Sequence, residues 1–404
     1  MPRRLLVVTP FLPRRGATHG GGALLAALLE GLAPLADVTL LSLALREDHA
    51  HEGSVRGLAR RLLLVPHRRN ADFSRTGLFG NRLRLAWRVG VRGLPLLPAK
   101  FHSPALARAL VAHLEQERPD AVLLEYGLTA QYLPLCAGRP AILTDHEAGA
   151  ESAGTSPFPS IDGRLRRAYV RRFYPRATLL QTLTPEDADL LREQLRPGAP
   201  AVEVRPPAVL LPARACRPDA AGEAVAFFGN FAHRPNREAT RFLVLELLPR
   251  LRARRPTCEL LVAGEGAPPE VAALGRVEGV RFEGYAPDLG AFLGRARCVL
   301  APLFSGAGVR IKVLEAMAHG LPVVANALGA RGLADAPDRC LRRAEGADAI
   351  AEAALAFLAD PGAAQGAGEE ARRWVGGRAS PRTVAELQLE RVERLLGSLR
   401  SRGG

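Results

Sequence analysis

The alternation of short apolar runs with longer helical runs constrains the fold of this sequence more than any other feature. Runs of four or five residues, such as 5–9 and 37–41, are typical of strands buried on both faces of a parallel sheet. After a proline-rich passage the rhythm restarts, and runs such as 225–228 and 259–263 end at a glycine. Strands that alternate with helices predict an α/β fold with two doubly wound, Rossmann-like domains.

The same pattern predicts the domain boundaries. We expect an N-terminal domain over 1–207, a linker over 208–222, a C-terminal domain over 223–375 and a terminal amphipathic helix over 376–404. Ligands of such sheets bind beyond the carboxyl ends of the strands. Two domains that face each other would therefore enclose an interdomain cleft suited to a small molecule.

The composition narrows the class of partner. The formal net charge is +14, which suits nucleic acid, an anionic membrane or a phosphate-bearing small molecule. No zinc-finger spacing or RNA-binding aromatic motif is present, which argues against nucleic acid. The five cysteines lie tens of residues apart and predict neither a zinc site nor disulfides. No stretch reads as a signal peptide or a membrane span, so we expect a cytoplasmic protein, with any membrane contact peripheral and at the inner face.

The segment 304–326, FSGAGVRIKVLEAMAHGLPVVAN, predicts an anion site. Gly306 and Gly308 remove side chains where a helix is expected to start, near 308 or 309, so that backbone N–H groups face an anion. Arg310 and Lys312 add positive charge, and Glu315 suits hydroxyl groups that donate hydrogen bonds. The alternative is an ordinary glycine turn followed by a solvated ion pair between residues three apart.

The order and spacing of several segments carry a family resemblance. The segments are 228–231, 235–236, 260–266, 280–285, 288–289 and 302–326. Together they resemble the C-terminal half of the retaining glycosyltransferases of family 4, which have the GT-B fold. The N-terminal half is similar more loosely, at Gly20–Gly22, at 119–125 and at the strand before His146.

The resemblance implies a retaining hexosyltransferase of polysaccharide or cell-envelope biosynthesis. It implies a nucleotide-diphosphate-sugar donor held by the second domain and a glycan, lipid-linked or small-molecule acceptor held by the first, with no metal or other cofactor. Cations and backbone N–H groups would stabilise the departing diphosphate. The donor and diphosphate groups implied in the second domain are Gly229, Asn230, Gly284, Tyr285, Gly306, Gly308, Arg310, Lys312 and Glu315.

Two further candidates lie in the first domain, and each has an alternative. His146 is expected to contact the donor sugar or the acceptor, or else to pair with Asp145 or Glu147. Gly21 and Gly22 are expected to approach the donor phosphates, or else to form a tight turn.

The sequence also departs from the family pattern. Many members place another glutamate where this chain has Ala307, and an arginine where it has Asn230; Arg234 lies near the loop that usually supplies a lysine. A non-catalytic GT-B nucleotide-sugar-binding protein and a GT-B epimerase therefore stay open as alternatives.

The stretch 78–100 has a separate interpretation. Its arginines recur every four residues beside apolar side chains: Arg84, Arg88, Arg92, Leu85, Val89 and Trp87. The pattern fits a basic amphipathic helix on an anionic membrane, and equally a core-facing helix with solvated arginines.

Overall fold

A computed structural model describes residues 2–14, 20–46, 48, 52–68, 75–148, 159–216, 222–306 and 308–403. The chain separates into two compact units. The first comprises Met1–Ala17, Gly21–Pro207 and Val384–Gly404, and the second comprises Thr18–Gly20 and Ala208–Thr383.

The first unit is built on a seven-stranded sheet with the strand order β3-β2-β1-β4-β5-β6-β7, in which every neighbouring pair is parallel. The strands are β1 (Arg3–Thr9), β2 (Ala36–Ala44), β3 (Arg61–Pro66), β4 (Ala121–Glu125), β5 (Ala141–Asp145), β6 (Leu179–Thr182) and β7 (Val202–Val204). Every residue of β4, β5 and β6 is buried, as the unbroken apolar runs predict for a sheet covered on both faces.

The helices of the first unit precede or follow these strands, and a final helix returns from the end of the chain. They are α1 (Gly20–Leu32), α2 (Glu52–Val55), α3 (Arg75–Gly90), α4 (Leu96–Lys100), α5 (Pro104–Glu117), α6 (Pro159–Phe173), α7 (Pro185–Gln194) and α15 (Pro381–Gly403), with 3₁₀ segments at Arg56–Leu58, Gly127–Cys136 and Tyr174–Arg176. On α15, Gln388 accepts a 3.1 Å hydrogen bond from Gln181 of β6, and Arg391 Nε donates to Glu203 at 2.9 Å.

The second unit repeats the arrangement with a six-stranded parallel sheet in the order β10-β9-β8-β11-β12-β13. Its strands are β8 (Ala224–Phe228), β9 (Glu259–Ala263), β10 (Val280–Phe282), β11 (Cys298–Ala301), β12 (Val323–Ala325) and β13 (Leu341–Arg343). Its helices are α8 (Arg234–Phe242), α9 (Leu248–Arg254), α10 (Pro269–Ala272), α11 (Leu289–Leu293), α12 (Ile311–Ala318), α13 (Gly346–Ala359) and α14 (Pro361–Ala379), with a π turn at Leu243–Leu247 and a 3₁₀ turn at Ala273–Arg276. The two sheets confirm the predicted α/β class with two doubly wound domains.

Three helix boundaries differ from the sequence predictions. The terminal helix predicted over 376–404 begins at Pro381, because α14 continues to Ala379 and the chain is extended at Ser380. α12 begins at Ile311, later than the predicted 308 or 309, because Gly308 has a φ of +75° and Arg310 a ψ of +76°, neither of which is helical. The stretch 78–100 forms two helices and not one, because the chain turns at Gly93, with a φ of +64°, before Pro95.

None of the helices in the described ranges combines the length and the apolar content that crossing a bilayer requires.

We expect two glycines of α14 to respond oppositely to substitution by alanine. A methyl group at Gly368 would overlap with the Gly320 carbonyl oxygen, whereas Gly377 has no atom within 4 Å of such a group. Alanine normally stabilises a helix interior relative to glycine by roughly 0.5–1 kcal/mol. Gly377→Ala should therefore raise the free energy of unfolding measured in urea, and Gly368→Ala should lower it. Equal effects of the two substitutions would contradict the close packing of α14 on the Gly320 turn.

Candidate functional site

In the second unit, glycines end three neighbouring strands and bring their loops together. The Gly264 N–H donates to the Gly284 carbonyl at 2.6 Å, and a methyl group on Gly264 would overlap with the Gly229 carbonyl oxygen. The loops after β8, β9 and β10 are therefore packed backbone against backbone. The absence of a side chain at Gly264 allows this close approach of main-chain groups.

Lys312 lies against this edge from the first turn of α12. Its Nζ donates a 2.5 Å hydrogen bond to Asn236 Oδ1 and lies 4.1 Å from the centroid of the Phe227 ring. A methyl group on Gly229 would come within 3.0 Å of the same nitrogen. The glycine after β8 thus makes room for the amine beside the backbone.

The charges of Lys312 and Glu315 are both disfavoured by their surroundings. Burial, followed by the charge of Arg310, lowers the pKa of Lys312 from 10.5 to about 7. Burial raises the pKa of Glu315 from 4.5 to about 7, although nearby Lys312 opposes the shift. No group in the described part of the chain donates a hydrogen bond to the Glu315 carboxyl. Both side chains are half-buried and three residues apart, so they share one face of α12.

Arg310 holds the loop that precedes α12. Its buried guanidinium donates to the carbonyls of Leu328, at 2.8 Å from Nε, and of Gly306, at 2.9 Å from Nη2. The loop needs glycine, because Gly306 and Gly308 have φ angles of +104° and +75°. Arg310 therefore fixes loop geometry in addition to contributing positive charge. Ala307 lies outside the described residues.

The side chains of Asn230 and Arg234, near the end of β8, form hydrogen bonds with residues close to them in the sequence. Asn230 Oδ1 accepts from the Ala232 N–H at 2.8 Å, and Arg234 Nε donates to Glu238 at 2.5 Å. The other Glu238 oxygen accepts from Ser305 Oγ at 2.6 Å. Arg234 is thus paired with a carboxylate of its own helix.

Gly284 and Tyr285 border open space. Gly284 has a φ of +65° and no atom within 4 Å of where a Cβ would lie, and the Tyr285 side chain is 57% exposed. The backbone after β10 is therefore accessible, as contact with a planar ligand would require.

Sequence reasoning missed Phe227 and Asn236 as groups that position Lys312. The signal available was Pro235-Asn236 at the start of α8, which formed part of the family pattern without an assigned role. The Lys312 to Asn236 contact joins residues 76 positions apart, so local spacing did not indicate it.

In the first unit, His146 belongs to a buried polar network at the ends of β4 and β5. Its Nε2 lies 2.7 Å from Glu125 Oε2, and Arg205 donates to both Glu125 oxygens at 2.6 and 2.8 Å. One predicted alternative was that His146 pairs with Asp145 or Glu147. The pair with Asp145 is wrong, because Asp145 instead accepts a hydrogen bond from the Tyr174 hydroxyl at 2.6 Å. Glu125 and Arg205 were not predicted, because the three residues meet only in the folded sheet.

Burial opposes ionisation of Glu125, but Arg205 and His146 together lower its pKa from 4.5 to about 2. The ionised carboxylate accepts the Nε2 proton of His146. The other ring nitrogen, Nδ1, has no hydrogen-bond partner among the described residues. This network fixes the orientation of the imidazole and leaves Nδ1 buried without a partner among the described residues.

Tyr126 covers the histidine. Its ring stacks on His146 with centroids 3.9 Å apart, and its backbone has a φ of +69°, a conformation that few residues other than glycine adopt. A methyl group on Gly21 would overlap with the Tyr126 hydroxyl. Gly21 therefore admits a protein side chain at the start of α1, where the sequence had suggested phosphate or a tight turn. Gly22 is buried in the same helical turn.

Two glycosyltransferase family models match the chain over different ranges. A family model described as glycosyl transferases group 1 matches residues 222–360, and a model described as glycosyltransferase family 4 matches residues 18–209. A search of curated proteins gave no match.

Solved structures with this fold include several glycosyltransferases. Sucrose-phosphate synthase from Thermosynechococcus elongatus is 18% identical, with a TM-score of 0.69 over 98% of this chain and 100% of that one. Anabaena HepE in complex with UDP is 15% identical, with a TM-score of 0.64 over 97% and 100% of the two chains. A glycosyltransferase from Rickettsia africae is 12% identical, with a TM-score of 0.63 over 98% and 99%. At these identities the likeness establishes the GT-B fold.

We expect Glu125→Gln to destabilise the protein strongly. The substitution keeps the shape of the side chain but leaves the buried Arg205 charge without its counter-ion, at a cost of about 3–5 kcal/mol. In the wild type the ionised carboxylate stabilises the fold above its unfolded pKa of about 4.5. That contribution, about 3 kcal/mol from the pKa shift, is lost as the pH falls toward 2.

Urea unfolding of wild type and variant between pH 7 and pH 3 measures both effects, and their difference in stability should shrink with falling pH. The matched control is Glu117→Gln, which breaks an exposed ion pair with Arg61. A wild-type midpoint for Glu125→Gln at pH 7 would contradict the structural role of the pair.

Proposed function

We propose that this chain, which belongs to the family 4 (group 1) glycosyl transferases, moves a sugar from a nucleoside diphosphate sugar to an acceptor hydroxyl with its donor held by the second unit. The observation that carries the proposal is the pair Lys312 and Glu315. The two groups lie on one face of a helix at the sheet edge, and the pKa of each is moved to about 7. Ionisable groups whose pKa is shifted by burial beside a charged neighbour are candidates for functional sites.

Lys312 suits the departing diphosphate. In the proposed reaction the bond from the anomeric carbon to the diphosphate oxygen breaks, and its electron pair stays with the phosphate. The acceptor oxygen bonds to the carbon, and its proton passes to the departing diphosphate oxygen. A half-buried ammonium group held by Asn236 against the backbone edge stabilises the growing phosphate charge more than a fully solvated one would. Arg310 adds positive potential from beneath the loop.

Glu315 suits the ribose. A carboxylate without a hydrogen-bond donor in the described chain gains most from hydroxyl groups that donate to it. The accessible backbone at Gly284 and Tyr285 suits the base, and the loop of Gly306 and Gly308 suits the phosphates. We propose no metal, because the cations and backbone groups already supply the charge that the leaving group requires.

The first unit would contribute His146. The family resemblance implies a contact between His146 and a hydroxyl of the donor sugar or the acceptor; Nε2 is bound to Glu125, and Nδ1 is buried without a partner among the described residues. The stacked Tyr126 restricts rotation of the ring. The family alone supports three further parts of the proposal. These are retention at the anomeric carbon, a hexosyl donor, and a glycan or lipid-linked acceptor.

Substitutions at Lys312 and Glu315 should affect different kinetic constants. Lys312→Ala should lower kcat with a smaller effect on donor affinity, because the ammonium acts mainly on charge that develops in the transition state. Glu315→Gln should weaken donor binding by roughly 1–3 kcal/mol, because it loses charge-assisted hydrogen bonds made before and during transfer. The measurements are the donor Kd by calorimetry and kcat from sugar transfer or donor hydrolysis.

The matched controls are Lys100→Ala, at the only other lysine, and the exposed Glu352→Gln. If both site variants keep wild-type kinetics and lose only slight stability, the α12 face is an ordinary helix surface. Donor binding without any product would instead favour a non-catalytic binding protein.

Donor binding should exchange protons in a direction that reverses with pH. At pH 8 Lys312 is mostly neutral and Glu315 is already ionised, so a bound diphosphate should raise the pKa of Lys312 and draw in a proton. At pH 6 Glu315 is mostly protonated, and ribose hydroxyls favour its ionised form, so binding should release a proton.

Calorimetry of UDP binding in buffers of different ionisation enthalpy measures this exchange. UDP is chosen because the similar HepE structure contains it. Lys312→Ala should abolish uptake at pH 8, and Glu315→Gln should reduce release at pH 6; phosphate itself, with a pKa near 6, accounts for the remainder. EDTA should leave binding unchanged. Uptake that survives in Lys312→Ala would assign the proton to another group.

A further inference from the structure

One face of α3 and the residue after it exposes large apolar side chains in a row. They recur every four residues, and we call them the α3 stripe: Phe79 (66% exposed), Leu83 (56%), Trp87 (51%) and Val91 (70%). Leu85 and Val89 lie on the other side of the helix and pack against the core of the first unit. The helix therefore has two apolar faces: one packs against the core, and the other is exposed to water. An exposed apolar patch of this kind marks an interaction surface.

Arginines border the α3 stripe. Arg82 and Arg84 are exposed beside Leu83, and the Arg92 guanidinium lies 5.2 Å from the Trp87 ring centroid. Arg172 of α6 donates to the Arg92 carbonyl at 3.3 Å and brings a further exposed cation to this end of the stripe. The sequence contains no aspartate or glutamate between positions 73 and 114.

We propose that the α3 stripe and its bordering arginines bind an anionic membrane surface. Apolar side chains at helical spacing can enter the boundary between headgroups and acyl chains while arginines meet the lipid phosphates. Trp87 suits that boundary because its ring is apolar and its indole N–H polar. The proposal concerns a surface of the first unit and is independent of donor binding by the second.

The charges and side chains of this surface favour a membrane over two other occupants. A second copy of this chain would bring the same arginines against one another, and each copy carries a net charge of +14. Single-stranded nucleic acid is anionic, but its bases bind by stacking on aromatic side chains. Two of the four residues of the α3 stripe, Leu83 and Val91, are aliphatic and provide no aromatic ring.

The test uses the full chain and vesicles of defined lipid. The chain has two tryptophans, so Trp374→Phe leaves Trp87 as the only one. In this background we expect cosedimentation with phosphatidylcholine vesicles that contain phosphatidylglycerol, and a blue shift of Trp87 emission. Pure phosphatidylcholine should give neither. Rising salt should release the protein, because the charged contacts are screened.

Two double variants separate the components of the surface. Arg82→Glu with Arg84→Glu should weaken partitioning by on the order of ten-fold or more, because each surface cation contributes roughly five-fold. Phe79→Ser with Leu83→Ser should remove the emission shift. The controls make the same changes on the second unit: Arg241→Glu with Arg276→Glu, and Leu245→Ser with Val277→Ser, all at exposed positions. All four variants should keep the wild-type Kd for UDP.

Three outcomes would overturn the proposal. The first is equal binding to neutral and anionic vesicles, or binding to neither. The second is an emission shift on addition of an oligonucleotide with none on vesicles. The third is a concentration-dependent dimer, seen by size-exclusion chromatography, that Phe79→Ser with Leu83→Ser abolishes. Loss of UDP binding in every variant would point to misfolding, and circular dichroism of each variant excludes that case before the vesicle data are read.

Discussion

Both sheets reverse their strand order at the same place, and the candidate sites depend on that reversal. In the first unit the order turns between β1 and β4, and in the second between β8 and β11. Connections from the two central strands leave in opposite directions there, so their loops separate and leave a crevice. Gly229 follows β8 and the loop before α12 follows β11, while Tyr126 follows β4. The candidate residues collect at these edges because chain topology keeps the loops apart.

Burial of charge has opposite results in the two units. Glu125 loses all contact with water, and burial alone would raise its pKa. Arg205 and His146 stabilise the ionised carboxylate more than burial destabilises it, so its pKa falls to about 2. Lys312 and Glu315 lose water without comparable partners, and the pKa of each moves toward neutrality. A compensated buried charge contributes to the scaffold, whereas an uncompensated one is stabilised further by a ligand. This difference indicates a structural role for Glu125 and supports the ligand binding that we propose for the α12 face.

The sequence predicted what depends on local pattern. Unbroken apolar runs indicated strands such as β4 and β8, and their alternation with helices indicated two doubly wound domains. The start of α12 was misplaced because a left-handed Gly308 and a non-helical Arg310 delay the helix, and glycine spacing does not reveal φ. The pairs that shape the sites join distant residues: Glu125 and Arg205 are 80 positions apart. Such contacts follow from strand order, which an isolated motif does not encode.

Glycine illustrates the limit of motif reasoning most clearly. In the sequence, Gly21, Gly264 and Gly284 look alike, each next to a strand end or a helix start. In the structure Gly264 admits the Gly229 carbonyl, Gly21 admits the Tyr126 hydroxyl, and only Gly284 of these three faces space that no described atom fills. A glycine that accommodates the protein's own atoms explains packing, and one that faces open space leaves room for a ligand. To distinguish the two cases, the positions of the neighbouring atoms must be known. A glycine-rich motif alone indicates that some group comes close to the backbone, but it does not indicate whether that group belongs to the protein or to a ligand.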